Sequence, residues 1–155
     1  MTGNSEIRNW WAAHPMTYGA VHGEAGYGDG RFEFGTREFF ERLDREFYSW
    51  NYPLHGERPF DRLFPYEEYR GRRVLEIGCG LGTMAMNWAQ NGARVTAVDL
   101  NPTSVRETRR RFELYGLEGD ISLMDGNQLA LADGEFDYAY SWGVLHHSPD
   151  LERSL

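Results

Sequence analysis

The stretch Val74–Thr83, VLEIGCGLGT, constrains this chain more than any other. A short apolar run carries an acid, Glu76, and then Gly78, Gly80 and Gly82 alternate with other residues. An apolar run of strand length closed by glycines is the pattern of a buried strand entering a tight turn. Glycine there admits positive φ and lets the backbone approach a neighbour with no Cβ in the way. The pattern predicts a strand over Arg72–Ile77 and a helix over Thr83–Asn91 closed by Gly92. A second strand is expected at Ala93–Val98. A second helix follows Asn101 as its cap, with Pro102 in the first turn, and ends at Gly116 after Val105, Phe112 and Tyr115. Further strands are expected at Ile121–Met124 and Phe136–Ser141, with a helix starting in Pro149–Leu155. Strand–helix–strand alternation at these spacings requires a parallel sheet with right-handed crossovers. Residues 71–155 are therefore expected to form an α/β, Rossmann-like sheet with helices on both faces.

Residues 1–70 have a different texture, rich in aromatics such as Trp10, Trp11, Tyr18, Phe39, Phe40 and Phe64. A helix is predicted from Thr36 as N-cap, with Phe39, Phe40, Leu43 and Phe47 at helical spacing and Pro53 as its stop. A shorter helix is expected over Ser5–Ala13. Between them Gly19, Gly23, Gly26, Gly28, Gly30 and Gly35 mark Thr17–Gly35 as loop. Two readings stand for this region. It is a helical cap packed on the sheet, or a lid in which Tyr18 and its glycine-rich surroundings close over a ligand, an aromatic face suiting a cation.

The net charge of −8 sets the class of partner. Nucleic-acid affinity leans on clustered Lys and Arg, and Arg109–Arg111 is the only run of three adjacent basic residues. With Glu107 and Glu113 beside it, that cluster is expected to be a solvated helix face, so no nucleic-acid partner is expected. No apolar run approaches the roughly 20 residues of a membrane span. The N-terminus lacks a basic region followed by an apolar one, so no signal peptide is expected. A single cysteine, Cys79, excludes an internal disulfide and leaves a cytoplasmic location as the default. No histidine pair has a ligand-like spacing, so no metal is expected.

In a parallel sheet of this kind ligands bind beyond the carboxyl ends of the strands. The glycines are spaced G-x-G-x-G rather than the G-x-G-x-x-G of a dinucleotide site, with Thr83 where the last glycine would fall. Glu76 lies just ahead of that loop, where an ionised carboxylate would repel a pyrophosphate and attract a cationic group by about 1–4 kcal/mol. The second strand runs into Asp99, placed to accept hydrogen bonds from ribose hydroxyls. The third runs into Asp125, able to accept from an exocyclic amine. An amine or sulfonium, a ribose and an adenine occur together, without phosphate, in S-adenosyl-L-methionine.

Four segments carry a family resemblance: EIGCGLG at 76–82, VTAVDLN at 95–101, DGNQLALAD at 125–133 and FDYAYSWGVLHHSPD at 136–150. In this order, the segment from about 71 to 155 resembles the class I S-adenosylmethionine-dependent methyltransferases, the broad type that includes ubiquinone and menaquinone biosynthesis enzymes. The resemblance implies the strand order 3-2-1-4 and S-adenosyl-L-methionine as cofactor, with S-adenosyl-L-homocysteine as product. It implies that Glu76, Gly78, Gly80 and Gly82 hold the methionine and ribose part, and that Asp99 binds the ribose while Leu100 packs on adenine. It implies Asp125 and Gly126 at the adenine edge, and Ser141, Trp142 and Gly143 closing over the methionine part. Trp142 is expected in the pocket, and Asp137 is expected to pair with nearby backbone.

The acceptor is expected to be a small molecule, with His146, His147 and Tyr18 as candidates on its side of the site. Against the family pattern, the chain stops at the helix after the fourth strand. It is thus expected to be C-terminally truncated, with strand 136–141 an uncovered edge for a second copy or a partner chain. Two other readings remain open: a non-catalytic cofactor-binding fragment or partner subunit, and a nicotinamide-type dehydrogenase, against which the glycine spacing and Glu76 both count.

Overall fold

The computed structural model of the chain describes residues 6, 9–11, 35–46, 49–148 and 152. Four strands, β1 (Arg73–Ile77), β2 (Arg94–Asp99), β3 (Asp120–Leu123) and β4 (Tyr138–Ser141), form one parallel sheet. Their spatial order is β3-β2-β1-β4, as expected. Among the described residues, these helices accompany them: α1 (Arg37–Glu46), α2 (Thr83–Gln90) and α3 (Pro102–Tyr115). Tighter 3-10 turns occupy Ser49–Leu54, Tyr66–Tyr69 and Leu145–His147.

The helix ends follow the sequence signals. Thr36 Oγ1 accepts from the Phe39 N–H at 3.3 Å ahead of α1. Asn101 Oδ1 accepts from the Thr103 N–H at 2.8 Å, with Pro102 first in α3, and Gly116 closes α3 in the left-handed region at φ 63°. Pro53 does not stop α1, which ends at Glu46; Pro53 lies inside the 3-10 turn, where its fixed φ is tolerated. The expected helix over 5–13, the 17–35 loop and the helix starting at 149 lie largely outside the described residues.

The pleat decides what each sheet face carries. In register across the sheet, Val74, Val95 and Tyr138 share one face with Glu76, Ala97, Ile121 and Tyr140. The core lies on that face. Phe39, Phe40 and Leu43 of α1, Met84, Ala85 and Trp88 of α2, and Val105 and Phe112 of α3 join Val74, Val95, Ala97 and Ile121 in one cluster. Helices on both faces were expected; the described ones gather on one. The reason is chirality: β1 to β2 and β2 to β3 step the same way along the sheet, so two right-handed crossovers put α2 and α3 on the same side. The opposite face carries Leu75, Ile77 and Val98.

Trp88 is the hub of that core, fully buried. Its rings face Tyr66 at 4.6 Å, Tyr138 at 5.4 Å, Tyr69 at 5.8 Å, and Phe64 and Tyr140 at 6.0 Å. Aromatics from 60–69 therefore cap the sheet by packing on α2 and β4. The change of composition near residue 70 marks no break in the core.

Arg111 departs from the expected solvated face. It is fully buried, whereas Arg110 stays outside and pairs with Glu113 at 3.7 Å. Arg109 reaches back to the Ile121 carbonyl at 2.8 Å from Nε.

Candidate functional site

The loop after β1 is built on left-handed backbone. Gly78, Gly80 and Gly82 have φ of 85°, 53° and 76°. The Gly78 and Cys79 N–H groups donate to the Val98 carbonyl at 2.7 and 3.0 Å, which folds the loop back over the end of β2. A Cβ on Gly78 would lie 2.3 Å from the Val144 side chain, and one on Gly82 would lie 2.8 Å from that of Thr108. Glycine is thus required twice over at both places, by backbone conformation and by space. Cys79 is a buried thiol within the loop.

Asp99, the last residue of β2, binds the loop directly. One carboxylate oxygen accepts from the Gly80 N–H at 2.8 Å and the other from the Asn101 N–H at 2.8 Å. Burial raises its pKa to about 6, opposed by those backbone N–H groups. At neutral pH it is an anion held in one orientation, and carboxylate oxygens keep further acceptor capacity. Leu100 follows it, half-buried.

Beyond β3, Asp125 Oδ1 accepts from the Asn127 backbone N–H at 2.9 Å and from the Asn127 amide at 3.0 Å. Ser148 Oγ lies 2.7 Å from Asn127 Oδ1 and ties the segment after β4 to this turn. A Cβ on Gly126 would meet Ile77 at 3.2 Å and Leu145 at 3.4 Å. The segments after the strands therefore meet: Gly78 lies against Val144, and Gly126 against Ile77 and Leu145.

Two expected site residues have other commitments. Ser141 Oγ donates to the Ile77 carbonyl at 2.8 Å, pinning β4 to β1. Trp142 leans into the aromatic layer, 5.1 Å from the Phe60 ring and 6.4 Å from Phe64, and is partly buried against the core. Gly143 takes φ 69° and turns the chain so that Val144 comes down on Gly78. Asp137 Oδ2 accepts from the Arg73 N–H at 2.8 Å, the backbone pairing expected of it.

Glu76, at 1% exposure, is buried. Burial pushes its pKa up to about 8, with the Asp99 charge adding to the rise. The Tyr140 hydroxyl and the Ala85 N–H oppose that rise without reaching hydrogen-bonding geometry. The Glu76 oxygens, Tyr140 hydroxyl and Trp88 Nε1 are buried polar atoms without a hydrogen-bond partner. Burial therefore favours the protonated form of this carboxyl.

His146 and His147 are exposed beyond β4, their rings 3.9 Å apart. Partial burial and then the neighbouring His146 lower the His147 pKa, which favours neutral imidazole. The Trp11 ring stands edge-on to His147 at 5.3 Å, and the Trp11 carbonyl accepts from Asn101 Nδ2 at 2.6 Å. Trp11 thus spans from the end of β2 to the segment after β4, across the end of β1. Sequence reasoning gave no site role to Trp11, nor to Val144 and Leu145, although the last two lie within the 136–150 segment. Tyr18 lies outside the described residues. Among the described residues, no three His, Cys, Asp or Glu side chains gather as a metal site.

Comparison with known proteins bears on this geometry. The model of the methyltransferase domain family matches residues 74–155, more than half of the chain. The ubiquinone biosynthesis O-methyltransferase of Xanthomonas euvesicatoria pv. vesicatoria is 35% identical over 101 residues, 63% of this chain and 42% of the relative. That of Methylocella silvestris is 35% identical over 107 residues, 69% of this chain and 41% of the relative. The chain thus spans about two fifths of the length of the curated relatives it matches. Among solved structures, the cyclase SpnF superposes with a TM-score of 0.55 at 27% identity, over 62% of this chain and 38% of that one. An S-adenosylmethionine-dependent methyltransferase from Mesorhizobium loti gives 0.50 at 30% identity, over 56% and 39%.

Proposed function

The chain belongs to the S-adenosylmethionine-dependent methyltransferase family, and from that premise we propose that it binds S-adenosylmethionine in the crevice above β1 and β2 and takes part in methyl transfer to a small molecule. The observation that carries the reading is the bond from the Gly80 N–H to Asp99. It holds a partly open carboxylate against a glycine loop, an arrangement suited to a ribose, while the G-x-G-x-G spacing departs from that of a pyrophosphate-binding loop. The glycines at positive φ and the half-buried Leu100 fit an adenosine lying across the strand ends.

Asp99 would hold the ribose, Leu100 the adenine face, and Asp125 and Gly126 the adenine edge. Gly78, Gly80 and Gly82 would give the methionine part its close backbone approach, with Gly143 and Val144 walling the far side. When bound, the cofactor supplies an electrophilic methyl group on a sulfonium. The protein's task is then to align an acceptor with that methyl and exclude water. Trp11, between Asn101 and His147, is placed to exclude water. His147, favoured as neutral imidazole, can take a proton if the acceptor is a hydroxyl. Glu76 sits beneath the loop, where a cationic ligand above it would favour its ionised form.

A melting experiment separates this reading from a dehydrogenase: S-adenosylhomocysteine should raise the melting temperature and NADH should not, and the reverse pattern would refute it. The second reading, a chain that binds the cofactor without turning it over unaided, is supported by the outer edge of β4, which pairs with no other strand among the described residues and lies beside the Ser141–Gly143 segment. Cofactor binding without methyl transfer to any member of a panel of phenols, amines and thiols would favour that reading over catalysis by this chain alone.

A further inference from the structure

We infer that Arg111, with Asp44, is a positioning residue for the glycine loop, so that α1 and α3 together set the backbone on which the cofactor lies. The inference rests on the proposed cofactor site and adds residues outside its motifs. Arg111 is fully buried, and its guanidinium is spent on the loop and on α1. Nη1 donates to the Leu81 carbonyl at 3.2 Å and to Thr83 Oγ1 at 3.0 Å. Nη2 pairs with the Asp44 carboxylate, Nε faces Met86 Sδ at 3.2 Å, and the Phe40 ring lies 5.1 Å beneath the guanidinium carbon. Thr83 Oγ1 in turn donates to Asp44 Oδ1 at 2.8 Å, closing a triangle of Asp44, Thr83 and Arg111.

One turn earlier on α3, Thr108 Oγ1 donates to the Gly80 carbonyl at 2.9 Å and stands against Gly82. The Gly80 and Leu81 carbonyls of the loop are thus held by two buried residues of one helix, three apart and on one face. Left-handed glycines have many alternatives, so such a loop needs outside restraint to keep one conformation. A buried ion pair is weak evidence for added stability, since apolar packing often does as well. What this pair does that packing would not is present directed donors to the Leu81 carbonyl and to the first residue of α2. The N-terminal helix is then part of the frame of the cofactor site.

The test compares the whole chain with Asp44→Asn, Arg111→Lys and Thr83→Val, reading amide hydrogen exchange at Gly80–Thr83 and affinity for S-adenosylhomocysteine. In the variants that fold, exchange at the loop should quicken by about tenfold or more while β1 and β2 keep their protection. Affinity should fall by about tenfold in Asp44→Asn and Arg111→Lys, and less in Thr83→Val, which loses only the hydroxyl link. Should Arg111→Lys fail to fold, the other two read the same quantities. Folded variants with unchanged loop exchange and unchanged affinity would overturn the inference, as would exchange rising equally throughout the sheet. If the unaltered chain does not bind S-adenosylhomocysteine, the proposed function fails, and loop exchange alone still decides the role of Arg111.

Discussion

Asp99 is the residue on which most depends. Replacing it with Ala should weaken S-adenosylhomocysteine binding by about 1–3 kcal/mol, the cost of losing hydrogen bonds to a charged group, as read by calorimetry. Equal affinity would remove the ribose assignment. Glu76 makes a different prediction. Its folded pKa of about 8 lies above the ordinary 4.5, so the fold favours the protonated form. The stability it contributes is complete below pH 4.5 and is lost as the pH rises through 8. The melting temperature of the unaltered chain should therefore fall across that range relative to Glu76→Gln, which cannot titrate. Parallel curves would show that the carboxyl is not held neutral. Gly78 was legible in the sequence as a loop glycine, but the contact that forbids a Cβ there, Val144, was not. That contact joins residues far apart in the chain, and no local pattern encodes it. Gly78→Ala should cost about 1–3 kcal/mol of stability in denaturant titration, from strain at φ 85° and the clash together.

The elements of the sheet were legible because their apolar runs and caps are local signals. Strand limits shifted by a residue or two, and the order β3-β2-β1-β4 agrees with that implied by the resemblance. The arginine cluster shows where such reading stops. Ser104, Val105, Thr108, Arg111 and Phe112 form the buried stripe of α3 at helical spacing, so position marked Arg111 as inward while its charge argued for water. Only Asp44, on another helix, resolves that conflict. Trp142 shows contacts that no local pattern encodes: its ring packs on those of Phe60 and Phe64, some eighty residues earlier. The same aromatic layer makes Trp88 the stabilising centre of α2. Trp88→Ala should cost about 3–5 kcal/mol in denaturant unfolding, and a loss under 1 kcal/mol would mean the layer is loosely packed.

At the scale of the molecule, one core face unites α1, the aromatic turns and the sheet, so residues 35–69 are integral to the fold of the site. The other boundary is open. β4 pairs only with β1 among the described strands, and Ala139 at its centre is exposed. An unpaired parallel edge is a template for another strand. This chain alone should therefore associate as its concentration rises, and light scattering that reports a monomer at every concentration would show the edge to be covered by its own residues. The central claim is that this four-stranded sheet carries a formed cofactor site. Its most direct test is calorimetric titration of the chain with S-adenosylhomocysteine. The account predicts saturable micromolar binding of one ligand per chain; a folded chain that takes up none would contradict it.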